Sequence, residues 1–283
     1  ITLIVLSIGL FFLNGLNFGI DFKGGTLIEI ETQNKIEISE VRSSLNSLSL
    51  GDVQVQEFGS DKNLLIRIEQ QQGGDQIQQN VLEIVKQKLT NDISEIINFR
   101  RTEVVGPKVS GELIQSGTIA IVLAVLAMLV YIWLRFEWQF SLGAVIALLH
   151  DVILTIGVFC LTQLEFNLPI IAAILTIVGY SMNDTVVVYD RVRENLRKFR
   201  SKEITSLLNL SINETLSRTI VTSVTTLLAL VSLYLFGGEV IKGFTFAMIW
   251  GVLVGTYSSI FVAAPLLTYL DVKREWNTTT AVD

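Results

Sequence analysis

The sequence is short of the residues that most chemistry and most chain punctuation need. It has one cysteine, one histidine and three prolines in 283 residues. A single cysteine cannot found a disulfide framework, and one of each cannot hold a Cys/His zinc site. Charge is scarce as well: 17% of residues carry it, against roughly 25% in an ordinary soluble domain. The formal net charge of -6 has the wrong sign for a typical nucleic-acid binder. No G-x-x-x-x-G-K-[ST] run occurs, so there is no phosphate-cradling loop for ATP. One His and three Met make a poor supply of axial ligands for haem. No cofactor and no metal is therefore expected. What is plentiful is apolar side chain, half of the chain. That excludes a disordered polymer and leaves a membrane protein or a soluble one with a very apolar core.

The placement of the charges decides for the membrane. Residues 1–20 carry none, residues 21–112 carry 25, and the remaining 171 carry 23 in clusters between apolar stretches. A hydrocarbon core about 30 Å thick needs roughly 20 apolar residues per helix. Six stretches approach that: 1–20, 113–134, 141–163, 168–189, 216–236 and 243–270. The first is too long for a signal peptide and lacks a small-x-small cleavage site. Because the chain opens on Ile1 rather than Met, an upstream segment is expected. Arg135, Arg191, Arg193, Arg197, Lys198, Arg200, Lys202, Arg218, Lys273 and Arg274 fall on one side of a six-span arrangement, and only Lys242 on the other. The positive-inside rule puts the first group in the cytoplasm. Both termini, including the tail 271–283, are then inside, and residues 21–112 are outside.

The external segment reads as α+β. Thr26–Glu31, Val53–Phe58 and Leu64–Glu69 alternate apolar with polar, the strand period. Ser39 is placed to cap a short helix carrying Val41, Leu45 and Leu48. Gly73-Gly74-Asp75 breaks the chain ahead of a longer helix carrying Ile77, Val81, Ile84, Val85 and Leu89, and Ile96–Val105 is a last strand. The order β-α-β-β-α-β is that of the ferredoxin-like plait. The fold class expected is an α-helical membrane protein of six transmembrane helices, with this small domain between the first and second.

Ionisable residues inside a span are functional hypotheses by default. Asp184 lies in the fourth span with Asn183 and Thr185 as polar neighbours, and can bind and release a proton there. Arg218 opens the fifth span. It either snorkels to the interface or pairs with Asp184. Thr219, Thr222, Ser223, Thr225 and Thr226 make that span polar, either lining a hydrated path or bonding backbone carbonyls. His150 and Asp151 lie near the middle of the third span, too deep to snorkel. Adjacent helical residues point about 100° apart, so they are expected to serve different neighbours and are the weaker proton-coupling candidates. Asp190 and Arg191 read as an interfacial pair. Gly143-x-x-x-Ala147, Ala120-x-x-x-Ala124 and Gly251-x-x-x-Gly255 suggest close helix packing.

Three segments carry a resemblance over essentially the whole chain. Gly19-Ile20-Asp21-Phe22-Lys23-Gly24-Gly25-Thr26 follows the first span, and Val105-Gly106-Pro107 precedes the second. Gly179–Asp184 continues as Thr185-Val186-Val187-Val188-Tyr189-Asp190-Arg191-Val192-Arg193-Glu194-Asn195. With Leu216-Ser217-Arg218-Thr219, these resemble the SecF family of the bacterial Sec protein-export machinery, in the resistance-nodulation-division superfamily. Met182 departs from the branched aliphatic expected there. The resemblance implies a partner, SecD, and work at the SecYEG channel and its accessory membrane subunits. It implies use of the proton motive force on preproteins crossing the inner membrane, with the external domain meeting the unfolded preprotein. It also implies that Asp184 and Arg218 serve ion transport. Gly19, Gly24 and Gly25, with Asp21, Phe22, Gly106 and Pro107, are then either a hinge or a rigid turn below the domain. H⁺ and Na⁺ both remain open as the coupling ion. The competing readings are a stand-alone proton-coupled exporter, an intramembrane aspartyl protease using Asp151 and Asp184 but lacking the usual G-x-G-D loop, and a passive scaffold.

Overall fold

The computed structural model describes residues 2–71, 73–93, 96–270 and 272. The expected tail, with Lys273 and Arg274, lies outside the described residues apart from Val272. The first helix, α1 (Thr2–Leu13), has 12 residues. At 1.5 Å per residue it rises about 18 Å, short of a hydrocarbon core. The expected helix over 1–20 is thus corrected at its C-terminal side, where Gly15 takes φ 66° and residues 14–17 leave the helix.

A short helix, α2 (Ile20–Lys23), leads into the domain: β1 (Gly25–Thr32), α3 (Ile38–Asn46), β2 (Val53–Phe58), β3 (Ser60–Ile68), α4 (Asp75–Asp92) and β4 (Ile96–Val105). The sheet order is β2-β3-β1-β4, antiparallel throughout, so the β-α-β-β-α-β expectation holds. Helix α3 starts one residue before Ser39, at Ile38. Its N-cap is Glu37, without a side-chain cap bond. The pleat separates two faces. Ile28, Ile30, Leu64, Ile66 and Ile68 point to α3 and α4 and meet Val41, Leu45, Val81, Val85 and Leu89. Leu27 and Leu65 point the other way, onto Ile20.

Among the described residues, five helices are long and apolar enough to cross a membrane: α5 (Pro107–Arg135), α6 (Trp138–Thr162), α7 (Leu168–Lys198), α8 (Ile204–Phe236) and α9 (Glu239–Ser258), the last continuing through a π-helical turn at Ser259–Ala263. Gly106 is the N-cap of α5 with Pro107 in its first turn, where proline's missing N–H is no loss. Helices α6, α7 and α9 form the interior, while α5 and α8 are mostly exposed.

The α7 and α8 helices outrun the expected spans 168–189 and 216–236. A span read from sequence is cut to about bilayer length, but the apolar period runs on. Tyr189, Val192 and Leu196 pack on Leu207 and Leu208 in one core cluster. Charges there pair between helices: Arg135 with Asp190 at 3.0 Å and Arg191 with Glu214 at 2.8 Å. Asp190 and Arg191 therefore serve different partners, not each other.

The small-residue stripe on α9 is a contact with α7. A Cβ on Gly251 would come within 2.3 Å of Ile177, and one on Gly255 within 3.0 Å of Ser181.

Candidate functional site

The most connected polar group in the bundle is Asp151, on α6 and 1% exposed. Its Oδ2 accepts from Ser181 Oγ of α7 at 2.5 Å and from Ser258 Oγ of α9 at 2.7 Å. Its Oδ1 lies 2.9 Å from His150 Nδ1. The two neighbours thus bond each other, contrary to the expectation of separate partners. A bent side-chain path overcomes the 100° between their Cα–Cβ directions. His150 also stacks on Tyr257, with ring centres 6.5 Å apart. The carboxylate ties three helices together immediately before the π-helical turn, a feature that often marks functional sites.

Asp184 is the opposite case. It is 3% exposed, and its Oδ2 is buried with no hydrogen-bond partner among the described residues. An unmet buried acceptor is costly. Spacing puts it one turn along α7 from Ser181. Thr185 is buried next to it in sequence. Asn183 is exposed, so its expected support of the carboxyl is corrected: one residue along a helix turns it to another face. Arg218, on α8, is exposed too. No ion pair joins it to Asp184 among the described residues, so the structure does not bring the expected pair into contact.

The polar stripe of α8 divides. Thr222, Thr225 and Thr226 bond carbonyls of their own helix. Ser223 Oγ reaches Thr256 Oγ1 of α9 at 2.7 Å. Thr219 Oγ1 is buried without a partner, like Asp184 Oδ2.

The glycine-rich segment before β1 forms a second cluster, where the domain meets the α6–α7 loop. Gly19 N donates to Phe166 O at 2.9 Å, and Phe166 N to Asn17 O at 2.8 Å. Asp21 Oδ2 accepts from Leu168 N at 2.7 Å, filling an orphan donor at the start of α7. Phe22 sits 5.9 Å from Phe166, ring centre to ring centre. Arg67 of β3 pairs with Glu165 of the loop. Gly25 has φ 117°, and a Cβ there would lie 2.4 Å from the Ile68 carbonyl, so β1 can leave the turn only through glycine. The geometry is that of a pinned turn.

Two family patterns match this chain: "Protein export membrane protein SecD/SecF, C-terminal" over residues 84–273, and "SecD/SecF GG Motif" over residues 9–36. The chain belongs to the SecD/SecF family.

Similar relatives carry the name Protein translocase subunit SecF. That of Rickettsia bellii is 50% identical over 258 residues, 91% of this chain and 84% of the relative. That of Cereibacter sphaeroides is 50% identical over 266 residues, 92% of this chain and 82% of the relative. A crystal structure of SecDF, a translocon-associated membrane protein from Thermus thermophilus, superposes with a TM-score of 0.83 at 35% identity over 95% of this chain. A SecDF structure in a super-membrane-facing form gives 0.68 at 34% identity over 95% of this chain. This chain spans 36% of either SecDF chain. The C-terminal SecD/SecF pattern covers the apolar helices α5–α9, and the GG motif covers the glycine segment before β1.

Sequence reasoning did not single out Ser181, Ser258, Arg67 or Glu165 as functional. Ser258 and Ser259 interrupt an apolar run, and Glu165 is the one charge between 152 and 183. Those were the available signals.

Proposed function

We propose that this chain is an auxiliary subunit of the Sec protein-export machinery that works beside SecD and the SecYEG channel, using the proton motive force to promote preprotein translocation. In this reading α5–α9 cross the inner membrane, and the apolar segment 1–20, of which α1 is the helical part, makes the sixth crossing. Both termini are cytoplasmic, and residues 21–112 face the periplasm and the unfolded preprotein. The Lys/Arg bias of the short loops supports that orientation.

One observation carries the ion-coupling role: Asp184 is a buried carboxyl with an unpartnered oxygen on a packed interior helix. Asp151 is buried as deeply, but both of its oxygens are hydrogen-bonded, to Ser181, Ser258 and His150, so that it ties helices together. Asp184 has no such partner on its buried Oδ2 among the described residues. Arg218, on the neighbouring helix α8, is the cation this reading assigns to act with Asp184, although no salt bridge joins them among the described residues. Moving one charge through 100 mV is worth about 2.3 kcal/mol, enough to bias a two-state change in helix packing.

Asp184→Asn keeps the shape and removes titration. In cells carrying the partner subunit, export of a secreted reporter and ion flux in membrane vesicles should both fall to the level without the subunit, at normal protein amounts. Near-normal export and flux would make Asp184 structural and move the coupling site to Asp151 and His150.

A further inference from the structure

The domain and the helix bearing Asp184 are joined by three residues from three places in the chain. Asp21 precedes β1, Arg67 lies on β3, and Glu165 lies in the α6–α7 loop. Asp21 holds the first N–H of α7 at 2.7 Å. Glu165, three residues before α7, holds Arg67. Strands β1 and β3 are neighbours in the sheet, and Leu27 is opposite Arg67 in their register. Anything that shifts the start of α7 is therefore applied at once to both strands next to the middle of the sheet. At the other end, Asp184 lies 16 residues into α7, about 24 Å along its axis. The ion pair is mostly withdrawn from water, with side chains 12% and 25% exposed, so solvent screens it little.

We propose that Asp21, Arg67 and Glu165 are the coupling joint of this protein: positioning residues that transmit displacement of α7 to the domain. The assignment rests on the reading of Asp184 as the ion-carrying group. It assigns the glycine segment a clasp's role in place of a hinge's. Gly25 permits the turn and the three side chains lock it to α7. Coupling between two sites through a packed element is a free energy that removal of the link abolishes.

The test uses the full chain with its partner subunits in membrane vesicles, reading ion flux and export of a reporter on the same preparations. Arg67→Glu and Glu165→Arg should each lower the export gained per unit ion flux by roughly five- to tenfold, with flux itself retained. The double exchange R67E/E165R should restore it. Asp21→Asn, which keeps an acceptor oxygen for Leu168, should lose less than Asp21→Ala. Normal export per unit flux in both single variants, or a double exchange no better than either, overturns the proposal. If the single variants fail to accumulate, the milder Glu165→Gln is read in the same way. Asp184→Asn run in parallel separates the two readings. If that variant keeps flux and export, the ion reading fails. If it loses both while the joint variants behave as wild type, only the joint fails.

Discussion

In the domain of residues 25–105 the core between the sheet and its two helices is aliphatic, and most charges stay on the surface, with buried Glu29 and mostly buried Arg67 as the exceptions. In the helical block the most deeply buried carboxylates sit among hydroxyls and small residues. The contrast follows from solvent. Between water and a protein core, burying Ile28, Leu45 or Ile66 is itself the driving force. Between lipid and a protein core it is nearly neutral, so close packing and interhelical hydrogen bonds must hold the helices. The α9 glycines against Ile177 and Ser181, and Asp151 against Ser181 and Ser258, are those devices. The domain can thus be a stable lever, and the block a device with more than one packing.

The sharpest way to break this contrast is to damage each region by its own rule. Leu45→Ala opens a cavity at a fully buried position and should cost the domain about 2–5 kcal/mol. Limited proteolysis of vesicles should then cut between residues 25 and 105 while α5–α9 remain protected. Loss of protection in the helices as well would mean that the two regions fold as one.

Asp151→Ala strands the buried Ser181 hydroxyl and leaves Ser258 with only the Gly255 carbonyl at 3.1 Å, and should destabilise the block by about 1–3 kcal/mol. The indole of Trp250 donates to Leu154 O at 3.3 Å, bridging α9 to α6 beside this cluster. Tryptophan fluorescence during thermal unfolding in detergent therefore reports the loss. An unchanged midpoint would show that Asp151 holds nothing. A smaller effect is expected of the Ser223–Thr256 contact. A double-mutant cycle through Ser223→Ala and Thr256→Ala should return about 0.6 kcal/mol, the usual size of an interhelical hydrogen bond in a membrane.

Much of this architecture was legible from local pattern. Strands Val53–Phe58 and Ile96–Val105 have the bounds expected from alternation, because a half-buried strand writes its faces into every second residue. Asp184 was legible because a charge inside an apolar run is rare. The Asp151 cluster was not. Its serines lie 30 and 107 residues away, and nothing local marks which serine meets a carboxylate. The clasp was hidden for the same reason, since Asp21 and Leu168 are 147 residues apart. The extra turns of α7 and α8 were missed because a bilayer-length criterion ends after roughly 20 residues, while helix packing continues beyond the lipid.

The smallest effect expected lies on the domain's surface, where charge should count least. Asp92, at the end of α4, accepts from Ser44 Oγ of α3 at 2.7 Å and pairs with Lys88 at 2.9 Å. The Ser44 hydroxyl, and after it Lys88, hold its carboxyl below the usual carboxylate range. A lowered folded-state value means that the ionised form favours the folded state. This contribution is complete above the unfolded-state value of about 3.9, and it disappears as pH falls through the lower folded value. Acidification below about pH 4 should therefore loosen the α3–α4 contact. Hydrogen exchange at the last turn of α4 should speed up over that interval in the wild type and already be fast, without further pH dependence from this group, in Asp92→Asn. Because the pair is exposed and screened, the change should stay local and leave exchange in β1 and β3 untouched. A wild-type response spreading into those strands would show surface charge holding the sheet, and the division between an aliphatic lever and a polar-locked block would have to be redrawn.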